Sequence, residues 1–146
     1  MRLGVGLPLL ACLLAACTDR EGPPLEVTDI RVFAPLPGSD AGVAYLTLSN
    51  RGGDAIVVGS AQSPEFERVE IHETALNDGI ASMRRVDSLT VAAGESAVFT
   101  PGGLHLMLIG PRAAAKPGQA VTLEIEHDHG LLVVSATLLD RQAESR

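Results

Sequence analysis

Downstream of residue 24, no stretch of this chain keeps its apolar residues at a helical interval for three turns. It breaks instead into short segments that alternate or run apolar, rich in β-branched residues and separated by Pro35, Pro37-Gly38 and Gly52-Gly53. The pattern predicts strands at 25–33 (LEVTDIRVF), 42–50 (GVAYLTLSN), 55–61 (AIVVGSA), 68–74, 80–86, 88–91, 96–100, 104–109, 120–127 and 131–139. Ten candidate segments so short and so closely spaced, read as about nine strands, predict an all-β Greek-key sandwich. There is no internal repeat and no low-complexity tract. Phe33, Tyr45, Phe66 and Phe99 are the only aromatic residues, so the core must rest on Val, Leu, Ile and Ala.

The first 16 residues, MRLGVGLPLLACLLAA, carry one positive charge at Arg2 and then an apolar run. This is the pattern of a secretory signal, too short for a membrane-spanning helix of about 20 residues. Leu14-Ala15-Ala16-Cys17 resembles a bacterial lipobox. That resemblance implies cleavage ahead of Cys17, a lipid on its sulfur, and a periplasmic protein held to a membrane by that lipid alone. Which membrane stays open, although Thr18 in place of an aspartate leans toward the outer one. The expected divisions are a signal at 1–16, lipidated Cys17 and tether at 17–24, one domain at 25–139 and a polar tail at 140–146.

Cys12 leaves with the signal, so the mature domain can form no internal disulfide and has no C-x-x-C for thiol redox work or structural zinc. The signal holds one of the 11 basic residues and none of the 18 acidic ones, so the net charge of −7 becomes −8 on cleavage. Nucleic acid is not an expected partner, because phosphate binding needs clustered Lys and Arg.

The chemistry concentrates in four residues. Ten residues separate His72 from Met83, twenty-one separate Met83 from His105, and one separates His105 from Met107. The chain has three methionines, and apart from Met1 both fall in this pattern. Two imidazoles and two thioethers make a soft, neutral donor set that selects Cu(I) over harder divalent ions. Thioethers also escape the oxidation that pairs cysteines outside the cytosol. Strand alternation puts Leu104, Leu106 and Leu108 on one face and His105 with Met107 on the other; likewise Val69 and Ile71 turn inward and His72 outward. Taken singly, a methionine is usually a core filler and a histidine a hydrogen-bonded surface residue; the spacing taken together reverses that expectation.

The segment IHETALNDGIASMRRVDSLTVAAGESAVFTPGGLHLMLIG resembles the PCuAC periplasmic copper chaperones, whose signature is H-(M)-x10-M-x21-H-x-M. The resemblance implies a cupredoxin-like or immunoglobulin-like fold and Cu(I) held by His72, Met83, His105 and Met107. It further implies delivery to copper-site assembly in a respiratory haem–copper (cytochrome c) oxidase, the acceptor being an oxidase subunit or its thiol-bearing assembly factor. The alternative is a periplasmic lipoprotein that sequesters copper without a dedicated acceptor. A monomer and no enzymatic activity are expected: the domain has no cysteine, and no nucleophile–base pair of credible spacing is present. Two departures from the family pattern stand out. Glu73 occupies the optional methionine position, on the face opposite His72, and the tail RQAESR lacks the His- and Met-rich extension of some relatives. His127-Asp128-His129, just before Gly130, reads as a strand end and turn, with an auxiliary Cu(II) or Zn(II) site as the minority reading.

Overall fold

A computed structural model describes residues 24–143. All its regular elements are strands: β1 (Leu25–Phe33), β2 (Ala41–Asn50), β3 (Ile56–Gln62), β4 (Phe66–Asn77), β5 (Ile80–Arg85), β6 (Leu89–Val91), β7 (Ser96–Val98), β8 (Leu104–Pro111), β9 (Ala120–His127) and β10 (Gly130–Leu139). The all-β expectation holds, with ten strands rather than about nine. The expected signal, the Cys17 lipid site and most of the tether fall outside the described residues.

The strands form one sheet in the order β5-β4-β8-β2-β1-β10-β9-β3-β6, with β7 added on β2. β3 also pairs with β4 at Ala61 and Val69, which joins distant parts of the path and closes the sheet into a flattened barrel. Among the described residues, every pairing between strands is antiparallel except β1 with β10, where Val32 lies opposite Leu138. A bulge between Thr28 and Arg31 shifts the β1–β2 register, and Asp29 there takes a positive φ of 54°.

Alternation decides what is buried. Leu106 and Leu108 are 2% and 0% exposed, and Val69 and Ile71 are buried beside them, as the strand patterns require. They join Leu46, Leu48, Ile56, Val58, Val121, Leu123 and Ile125 in a single core, in which Phe66 and Phe99 are the only aromatic members. The aliphatic composition therefore fills the interior much as expected.

Register places the candidate donors. β8 lies between β4 and β2, so both flanking strands set side chains beside its outer face. His72 is directly opposite His105, and Glu70 opposite Met107. On the other edge of β4, Arg85 faces His72 and Met83 faces Thr74. The β4–β5 hairpin is longer than its sequence pattern suggests. It closes through Asp78 and Gly79, whose φ values of 50° and 81° fit the mirror-image two-residue turns that suit the strand twist.

Candidate metal centre

Directly opposed residues of an antiparallel pair project from the same face, with Cβ atoms about 4.5–5.5 Å apart. His72 and His105 are such a pair: their ring centroids are 5.9 Å apart and their planes cross at 67°, edge to face. Met107 lies two residues along β8 on the same face. Met83 reaches that face from β5, and together with His105, Met107, Thr74 and Tyr45 it lines a cleft of about 300 Å³. Three of the four candidates thus share one cleft wall. His72 is not part of that wall and meets the group through its contact with His105.

The candidate donors differ in access. Met83 is 55% exposed on an edge strand with no buried position, so packing does not account for a thioether there. Met107 is half-buried, and the His72 side chain is 15% exposed. His105 is 6% exposed, nearly as covered as the leucines beside it. Turning away from the core therefore does not bring His105 into open solvent. Its strand is interior to the sheet, with His72 on one side and, continuing the β2–β8 register past Ala44 and Leu106, Tyr45 on the other.

Each imidazole has one nitrogen committed. His105 Nδ1 lies 3.0 Å from the Gly103 carbonyl oxygen, which can only accept, so Nδ1 carries the proton and Nε2 keeps its lone pair. Gly103 is itself held by Thr74, whose N–H donates to the same carbonyl at 3.1 Å. His72 Nε2 lies 2.9 Å from Glu70 Oε2, while His72 Nδ1 is buried with no hydrogen-bond partner among the described residues. An unpaired buried polar atom costs about 1–3 kcal/mol, and a metal ion is one way to satisfy it. Among the described residues, no three His, Cys, Asp or Glu side chains form a metal-holding group.

Glu70 was not among the residues singled out from the sequence, although V-E-I-H at 69–72 already puts it on the face of His72. Its other oxygen, Oε1, faces Arg85 at 3.4 Å and Arg68 at 3.5 Å. The His72 hydrogen bond, with help from the Arg85 and Arg68 charges, outweighs partial burial and holds the Glu70 carboxyl below the usual carboxylate range. A carboxyl depressed in the folded state contributes stability above the range of its unfolded form and loses it as pH falls through the folded value. The stability advantage of the wild type over Glu70→Gln in urea unfolding is therefore expected to shrink as pH is lowered from about 5 to about 3. An advantage that stayed level over that interval would contradict the ion pairing.

The remaining sequence features resolve simply. Glu73 points away from His72 and pairs with Arg84. His127-Asp128-His129 forms the β9–β10 turn: the His129 N–H donates to His127 Nδ1 at 3.3 Å, and Asp128 Oδ1 accepts from the Val57 N–H at 3.0 Å. That ring nitrogen and that carboxylate oxygen are engaged in holding the turn.

Comparison with known proteins agrees with this architecture. The profile of the LpqE-like family, described as lipoproteins, matches residues 25–136. A Leifsonia xyli subsp. xyli protein named as a lipoprotein, Lxx21020, is 29% identical over 129 residues, covering 85% of this chain and 77% of the relative. Among solved structures, CuI-DR1885 from Deinococcus radiodurans superposes with a TM-score of 0.64 at 26% identity, over 86% of this chain and 87% of that one. The apo form of DR1885 gives 0.61 at 25% identity, over 97% and 95%. The copper-bound PCuAC domain from PmoF2 gives 0.66 at 18% identity, over 80% and 93%, a likeness of fold. With the family profile running from the first strand into the last, the chain belongs to the LpqE-like family and has the fold of PCuAC domains.

Proposed function

We propose that this domain is a copper chaperone that binds Cu(I) through His72, Met83, His105 and Met107 and passes it to copper-site assembly in a respiratory haem–copper oxidase. The observation that carries this reading is the convergence of soft donors on one sheet face: the two histidines are paired across β4 and β8, and Met83 and Met107 share a cleft with His105. DR1885, a relative of similar length, is described in a Cu(I) form, which supports the same cargo here.

The donor chemistry suits transfer. Thioethers are neutral and weakly donating, and Cu(I) is a soft ion, so an incoming thiolate or imidazole can displace them one at a time. Met83, half-exposed at the sheet edge, is the donor that an acceptor reaches first. The paired histidines lie deeper and let go last. No electron moves in such a step; the ion leaves as it came.

The domain works as a monomer in the periplasm, tethered by lipid on Cys17. The lipobox-like Leu14–Cys17 and the lipoprotein description of the family support the tether.

Anaerobic Cu(I) titration against a chromogenic chelator, followed by X-ray absorption, tests the site. One ion per chain, with both sulfur and nitrogen neighbours, is the expected result. A spectrum with only nitrogen and oxygen neighbours would overturn the donor set.

A further inference from the structure

A neutral imidazole has one N–H and one lone pair, and which nitrogen holds which is decided by its hydrogen-bond partner. At neutral pH a glutamate side chain is ionised and can only accept. Glu70 Oε2, 2.9 Å from His72 Nε2, therefore places the proton on Nε2. The lone pair then sits on Nδ1, the buried atom that has no hydrogen-bond partner among the described residues.

The carboxylate is also engaged on its other oxygen. Oε1 is taken by Arg85 and Arg68, at 3.4 and 3.5 Å, and Arg85 stands directly opposite His72 on the neighbouring strand. The ion pairs thus span β4 and β5 and leave Oε2 to His72. Glu70 also lies opposite Met107, so a hard oxygen ligand stands beside a soft thioether with both of its oxygens already engaged.

We propose that Glu70 is a positioning residue for the donor group: it accepts a hydrogen bond from the Nε2–H of His72, dedicates Nδ1 to the metal, and withholds its own oxygens from the ion. This rests on the Cu(I) reading above, and it names a tautomer, an atom and a residue which that reading leaves open. A carboxylate behind a ligating histidine fixes the ring and raises its basicity, and losing such a partner typically weakens metal binding about 10- to 100-fold.

The test uses ¹⁵N-labelled protein, with long-range ¹H–¹⁵N spectra of the His72 ring read before and after Cu(I) is added without oxygen. The wild type is expected to carry its proton on Nε2 in both states, with the Nδ1 resonance moving on loading. Glu70→Ala is expected to mix the tautomers and to weaken Cu(I) binding about 10-fold or more in chelator competition. Glu70→Gln keeps an accepting oxygen and is expected to restore the tautomer and most of the affinity. A proton on Nδ1 in the wild type overturns the proposal without any variant, as does copper moving Nε2 instead. Unchanged or tighter binding by Glu70→Ala also overturns it, and tighter binding would make Glu70 a competitor for His72. Failure of the copper reading shows elsewhere, as wild-type affinity in variants lacking His105 or Met107, while the tautomer of the copper-free ring can still be read.

Discussion

Met107→Ala and His105→Ala are each expected to lower Cu(I) affinity by at least about 10-fold, since removing a ligand should cost no less than removing the groups that support one. Both should remain folded. Met107 lies outside the buried core cluster, on the face of β8 opposite Leu106 and Leu108. His105 is buried but contributes one hydrogen bond, to the Gly103 carbonyl, a loss of about 0.5–1.5 kcal/mol. The double variant should lose measurable competition with a chromogenic Cu(I) chelator while still unfolding cooperatively in urea, at a midpoint lowered by the loss of the buried His105 ring. Met83→Ala should show a smaller loss, because a donor that is 55% exposed is the one most readily replaced by solvent. If the His105 and Met107 variants both bound copper as the wild type does, the four-donor site would have to be abandoned.

Much of this arrangement was legible before any coordinates. The strands at 25–33 and 120–127 appear with the bounds the alternation predicts, because there apolar periodicity and flanking breakers agree. The faces of β4 and β8 were legible for the same reason: a two-residue period, once the leucines are buried, leaves the histidines and Met107 no other side. β4 ran further than its pattern, to Asn77, because the last residues before the turn at Asp78-Gly79 are held by pairing with β5 rather than by burial, and a burial pattern cannot register them. β7 was shorter than expected, since Phe99 only bridges to Leu104 beyond it. Partners were harder to see than faces. Nothing local in β1 announces its parallel contact with β10, and the bulge at Thr28–Arg31 carries no Gly to mark it. Glu70 was visible in position but not in role. That a carboxylate two residues from His72 would be clamped by Arg68 and Arg85 depends on side-chain directions on β4 and β5, which no spacing rule contains.

Because β8 alternates between core and donors, neighbouring residues on it should give opposite phenotypes. Leu106→Ala or Leu108→Ala deletes a side chain that is at most 2% exposed in a close-packed interior, at an expected cost of about 2–5 kcal/mol. Against a total stability of about 5–15 kcal/mol this is a large fraction, and it should lower Tm by roughly 10 °C. The candidate donors, however, are spaced by the backbone pairing of β4 with β8 and with β5, which a single truncation on the core face leaves in place. Below its melting range, Leu106→Ala should therefore still bind Cu(I) close to the wild-type affinity, and added Cu(I) should raise its Tm by the same linkage as in the wild type. Met107→Ala should show the reverse, a nearly normal Tm that copper raises much less. Calorimetry on the two variants, with and without Cu(I) and without oxygen, separates these outcomes. Loss of copper binding in folded Leu106→Ala would mean that core packing, and not register alone, holds the donors in place. A cost under about 1 kcal/mol for Leu108→Ala would mean that the two faces of β8 have been assigned the wrong way round.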